Sequence, residues 1–193
     1  SDFDHELILI ESSDSLCAES VLEMLEARRH ETVLEVNLDA LVGNFNLMRS
    51  LVKPTTGVVA MVKAGGYGAG SYELAKTLQA QGASYLAVAV ADEGVELRNR
   101  GITMPIMVLN PKVTNYRTLF RYGLEPEIYS FDILDQIICQ AERQGMNGFP
   151  IHIKIDSGMH RLGFLLEDMP RLVSKLQKHK AVSPCSVFSH LAA

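Results

Sequence analysis

The sequence predicts an α/β fold, part of a (β/α)8 TIM-type barrel, and three observations carry that prediction. Short apolar runs at 57–63, 85–91, 105–110, 125–130, 151–156 and 185–191 alternate with helical segments near 71–81, 92–100, 114–122, 131–144 and 167–180. The runs are nearly all apolar, and no two-residue hairpin turn separates any two of them. That is the pattern of parallel strands covered on both faces. Polar or reactive residues stand at or just past the strand ends: Lys63, Asp92, Asn110, Ser130, Lys154 with Asp156, and His190. A ring of such groups at the carboxyl ends of strands is how barrels build a site. The competing arrangement is an open doubly wound sheet.

The elements follow in order. Residues 5–11 read as a short strand through Leu7, Ile8, Leu9 and Ile10, and Ser12-Ser13-Asp14-Ser15 as a turn that can cap a helix. Residues 17–29 place Val21, Leu22 and Leu25 at helical spacing. Residues 33–38 alternate as a half-buried strand. Asn37 or Asp39 then opens a helix that runs to about Leu51 and stops before Pro54. The strand–helix repeat begins after it. A closed barrel has eight such units and typically ~250 residues. Six strands are legible before Ala193, and the chain opens without an initiator methionine. Both ends therefore read as cut from a longer polypeptide, with residues 1–30 an N-terminal extension and 31–193 an incomplete barrel.

Composition narrows the function. The chain has 193 residues, 47% hydrophobic and 21% charged, with a net charge of −5. No dense Lys/Arg run marks a nucleic-acid or anionic-membrane partner, and no apolar run approaches the ~18 residues that span a bilayer. Cys17, Cys139 and Cys185 are few, scattered and odd in number, which suits reduced thiols in a cytoplasmic protein.

Two segments carry chemistry. In the first, an apolar run ends on Lys63, and Gly65, Gly66, Gly68 and Gly70 follow with Tyr67 among them. An ordinary strand-end lysine snorkels to water. A desolvated one loses its proton more easily and can form an imine with an aldehyde cofactor. The glycines let the backbone approach a ligand and offer N–H groups to an anion. Tyr67 can hydrogen-bond a phosphate or simply pack over the barrel mouth. The second segment runs from Ile151 to Phe164. If Ile151, Ile153 and Ile155 face the helices, His152, Lys154 and Asp156 face the barrel axis. A lysine there is costly unless paired or modified. Asp156 and Arg161 are close enough in sequence for a polar network, or Lys154 forms a salt-bridged strand end.

These segments resemble the alanine racemases. Val62-Lys63-Ala64 through Tyr67-Gly68-Ala69-Gly70 is similar to their cofactor segment. His152-Ile153-Lys154-Ile155-Asp156-Ser157-Gly158-Met159-His160-Arg161-Leu162-Gly163-Phe164 is similar to their strand and loop, and Phe188-Ser189-His190-Leu191-Ala192 to their next strand. Gly65-Gly66 and Ala69 depart from the commoner Asn-Ala and His.

The resemblance implies a pyridoxal 5'-phosphate (PLP) enzyme, an isomerase that interconverts L- and D-alanine for peptidoglycan synthesis. Lys63 would hold PLP as an imine and move a proton on one face of the substrate. Tyr67 would contact the phosphate. Arg161 would reach the cofactor's phenolic oxygen and the substrate carboxylate. His190 would lie under the ring, and Lys154 would match the lysine often N6-carboxylated in this family. The second proton-transfer group, a tyrosine of the partner subunit in the family's homodimer, has no counterpart in this chain, so the chain alone is expected to be inactive. Residues 6–14, followed by an amphipathic helix, resemble the final strand and turn of Mur-type ligases. That implies a ligase–racemase fusion, with Glu11-Ser12 where the ligases carry lysine-glycine. A PLP carrier module, an amino acid decarboxylase on the same barrel, and a regulatory appendage to a ligase with a degenerate site are the other readings.

Overall fold

The computed structural model describes residues 35–63, 66, 70–111 and 116–191. The strand expected at 5–11, the helix at 17–29 and the ligase-like segment lie outside the described residues. So do the first two residues of the strand expected at 33–38, and its described part is different. Residues 35–37 make no strand, and helix α1 (Leu38–Ser50) begins at once. Asn37 is the reason: in extended backbone, its side-chain oxygen accepts a hydrogen bond from the Ala40 N–H at 2.9 Å. An asparagine cap that satisfies an otherwise orphaned helix donor overrides a short alternating pattern.

The strands that follow are β1 (Val59–Met61), β2 (Tyr85–Val88), β3 (Ile106–Val108), β4 (Leu124–Ile128), β5 (Phe149–Ile155) and β6 (Val182–Ser189). Between them lie α2 (Ser71–Ala80), α3 (Ala91–Asn99), α4 (Tyr116–Tyr122), α5 (Phe131–Arg143) and α6 (Met169–Lys178), the last entered through a 3-10 turn at Leu166–Asp168. All neighbours pair in parallel, and the order across the sheet is β1-β2-β3-β4-β5-β6. A doubly wound sheet reverses its order at a switch point. Strictly sequential order with right-handed crossovers instead places the helices on one side, as in a barrel wall. The described sheet is therefore an arc of six strands with β1 and β6 at its edges.

Alternation along the strands separates the two faces. Leu86, Val88, Ile106, Val108, Leu124, Ile128, Ile151 and Ile153 are all buried at 0–1% exposure in the core beneath the helices. Helix α5 meets them with Ile133, Leu134, Ile137, Ile138 and Ala141, one stripe at helical spacing, and Ser130 Oγ accepts from Ile133 N–H to cap it. Gly94 in α3 allows close packing, since a Cβ there would lie 2.8 Å from Leu124 Cδ2. The opposite face of the sheet is far more polar, and the site is built there.

One side chain ties the turns at the amino end of the arc. The Arg98 guanidinium donates to the carbonyls of Ile102 (2.8 Å), Met104 (2.7 Å), Tyr122 (3.0 Å) and Gly123 (3.2 Å). It thereby joins the turn before β3 to the turn before β4. An Arg98→Ala variant is expected to lose about 2–4 kcal/mol of stability, because several partly buried acceptors lose their donor together. Urea unfolding checks this. Arg98→Lys should recover only part, since an ammonium lacks the planar fork that reaches both turns. Full recovery by lysine would show that charge alone matters.

Candidate active site

The inner face of the arc carries side chains in successive layers. Nearest the amino ends, the buried His152 ring lies between Glu125 and Ser186, with Nε2 2.9 Å from Glu125 Oε2 and Nδ1 2.7 Å from Ser186 Oγ. A ring with its proton on Nε2 donates to the carboxylate and accepts from the hydroxyl. Tyr85 packs edge-on to that ring at 5.3 Å between centroids. Burial, reinforced by the Glu125 carboxylate, pushes the Tyr85 phenol up to about 12. Every polar group in this layer has a partner, so it reads as a sealed floor.

The next layer holds an ion pair. Lys154 Nζ lies 3.5 Å from Glu127 Oε1 and 4.5 Å from the centroid of the Phe188 ring. Glu127 is 3% exposed. Burial pushes its carboxyl above the usual range, while the Lys154 cation opposes that most strongly, ahead of Arg161 and His152. His152 and Lys154 thus face inward as their alternation with Ile151 and Ile153 predicts. The partner of Lys154 differs from the network the sequence suggested. It is Glu127 from the neighbouring strand, while Asp156 is occupied within its own loop.

That loop presents Arg161. Asp156 Oδ1 accepts the N–H groups of Gly158 (2.9 Å) and His160 (3.0 Å), and these bonds hold its carboxyl below the usual carboxylate range. The return is closed by Phe164 N–H to Lys154 O at 2.9 Å and Asp156 N–H to Phe164 O at 3.0 Å. Phe164 is buried and packs edge-on against Phe131 at 5.0 Å. The Asp-Ser-Gly-Met-His-Arg-Leu-Gly-Phe string therefore encodes a fixed excursion, with the exposed Arg161 near its tip.

Above these layers opens a cavity of about 830 Å³, lined by Lys63, Asn110, Tyr129, Lys154, Arg161 and His190, among others. Lys63 is partly buried, two residues beyond β1. Gly66 (φ 62°) and Gly70 (φ 82°) are left-handed, and a Cβ on Gly66 would lie 2.6 Å from Leu74 Cδ1. Ser71 Oγ donates to Val62 O at 3.2 Å, tying the start of α2 back to the end of β1. His190 is exposed at the rim, and its carbonyl accepts from Ser157 Oγ at 3.4 Å. Tyr67 lies outside the described residues. Two members of the expected polar ring serve the helices instead: Ser130 caps α5, and Asp92 is exposed in the first turn of α3.

A lysine at the mouth of a large pocket, glycine turns beside it and cations facing inward suit an aldehyde cofactor that carries phosphate. Glu127 was missed in the sequence, although the alternation Leu124-Glu125-Pro126-Glu127-Ile128 places both carboxylates on one face of a strand.

An incomplete parallel barrel with a partly buried lysine lining a cavity at the carboxyl end of a strand fits a class, the barrels that gather their site at that end. Within it, the chain belongs to the family described as alanine racemase, N-terminal domain, whose profile matches residues 36–193. It is 36% identical over 168 residues to alanine racemase 2 of Caldanaerobacter subterraneus, covering 83% of this chain and 42% of that protein. It is 36% identical over 166 residues to the alanine racemase of Methanococcus maripaludis, covering 84% of this chain and 44% of that protein. The solved alanine racemase of Clostridium difficile superposes with a TM-score of 0.77 at 32% identity, over 84% of this chain and 44% of that one. The chain thus spans less than half the length of these relatives. Among the described residues, no helix is long and apolar enough to cross a membrane.

Proposed function

We propose that the full-length protein interconverts L- and D-alanine with PLP held on Lys63. The observation that carries this reading is the convergence of Lys63, Lys154 and Arg161 on one cavity, in a chain of the alanine racemase family. PLP, when bound, supplies an electron sink that makes the substrate Cα–H acidic. Lys63 Nζ anchors the cofactor and then carries the proton on one face of the substrate. Arg161 offers its planar set of donors to the substrate carboxylate and the cofactor's phenolic oxygen. Tyr67 would hold the phosphate, and His190 would support the cofactor ring. Racemisation needs a second acid/base group on the opposite face. That group comes from a second copy of the protein, so the active form is a homodimer and this segment alone is inactive.

The product serves peptidoglycan synthesis in the cytoplasm. The ligase-like residues 6–14 join the racemase to an enzyme whose pathway consumes D-alanine. The cofactor assignment is tested by borohydride reduction of the full-length protein with PLP, followed by peptide mapping. The pyridoxyl mass is expected on the peptide that contains Lys63. A label on Lys154 or no label sinks the assignment.

A further inference from the structure

The unusual feature of the cavity is that its inner lysine already has an anion. Lys154 extends from β5 to within 3.5 Å of Glu127 on β4, and its Nζ also sits over the face of Phe188 on β6 at 4.5 Å. Both contacts favour a cation at Nζ: a carboxylate attracts it, and the negative face of an aromatic ring attracts it too. Carboxylation of this lysine would reverse both. The ammonium would first lose a proton to water; the neutral amine would then attack carbon dioxide, its lone pair forming the N–C bond while one C–O π pair moves onto oxygen, and a second proton would leave nitrogen to water. The side chain would go from +1 to −1. That anion would then face Glu127, with Glu125 at the next inward position of the same strand, and would lie against the wrong face of the Phe188 ring.

We propose that Glu127 is the permanent anion of this site, and that Lys154 stays an unmodified ammonium. Glu127 and Arg161 line the same cavity, so Glu127 supplies from the protein itself a negative charge toward Arg161, and the site needs no carbon dioxide. The role of Glu127 toward Arg161 rests on the racemase reading; the state of Lys154 does not.

The test uses the full-length protein in ¹³C-bicarbonate, observed by ¹³C NMR, so the readout is independent of activity. Wild type is expected to show no carbamate resonance. Glu127→Gln removes the competing anion and is expected to acquire one, lost again when Lys154→Arg is added. A carbamate resonance in wild type that disappears in Lys154→Arg overturns the proposal, whether or not the protein racemises alanine. In kinetics, Glu127→Gln is expected to lose about 10²-fold in kcat/KM through misplacement of Arg161. Bicarbonate should partly restore it, while wild type stays indifferent to bicarbonate. Glu127→Asp, which keeps the charge, should retain most activity and covers the case in which the glutamine variant does not fold. Wild-type rates for Glu127→Gln without bicarbonate overturn the role toward Arg161.

Discussion

Replacing Lys63 by alanine in the full-length protein is expected to abolish racemisation and the borohydride-fixed cofactor label together. The loss in kcat should reach at least about 10²–10⁴-fold, the range supplied by a positioned proton-transfer group, even before loss of the anchor is counted. The reason for so large an effect is that no neighbour can substitute. Lys154 lines the same cavity, but its Nζ is held between Glu127 and the Phe188 ring on the far strands of the arc. Lys63 stands at the other edge, just past β1. Lys63→Arg is expected to be as inactive as Lys63→Ala, because a guanidinium keeps the charge but remains protonated. Assays of both enantiomers check this. Racemisation by the alanine variant at wild-type rates would refute the functional reading entirely.

The second large effect is expected at Gly163, through structure. Its φ of 134° lies where side chains are rarely tolerated. A Cβ there would also overlap the backbone at Asp156 N and Ile155 C. The obstruction is main chain, so no rotamer change can relieve it. The end of β5 or the Arg161 loop must move. Gly163→Ala is expected to cost roughly 2–5 kcal/mol, the sum of backbone strain and overpacking. It should also displace Arg161 and weaken cofactor retention. Gly158 is the internal control: its φ is 126°, but a Cβ there meets nothing within 4 Å. Gly158→Ala should therefore carry the strain alone, at about 1–3 kcal/mol. Equal urea midpoints for the two variants would show that the close backbone approach at Gly163 has no energetic weight.

These cases show how legibility varied along the chain. Strand and helix positions were readable because burial on both faces leaves long apolar runs, and the helices between them carry stripes such as Ile133, Leu134, Ile137 and Ile138. The site lysines were readable because a cation inside an apolar strand is conspicuous. Residues 33–38 misled, because alternation over six positions is too short to outweigh an asparagine cap. Asp156 lines the cavity as its inward position implied, yet its carboxylate organises its own loop rather than pairing with Lys154. A carboxylate two residues before a free N–H satisfies that donor locally.

By itself, then, the sequence determined the parallel α/β repeat and the inward face of β5, and it singled out Lys63, Lys154 and Arg161 as candidates that line one cavity. The repeat and the inward face follow from local periodicity, Lys154 from a residue type out of place in its strand, and the choice of Lys63 and Arg161 from the resemblance to the alanine racemases. The tertiary structure alone decided the sequential strand order that makes the sheet a barrel wall, and the pairing of Lys154 with Glu127. Those two residues are 27 positions apart, on neighbouring strands whose register matches Glu127 with His152. Register between strands is set by the packing of every helix and core residue around them, so no single segment could disclose that pair.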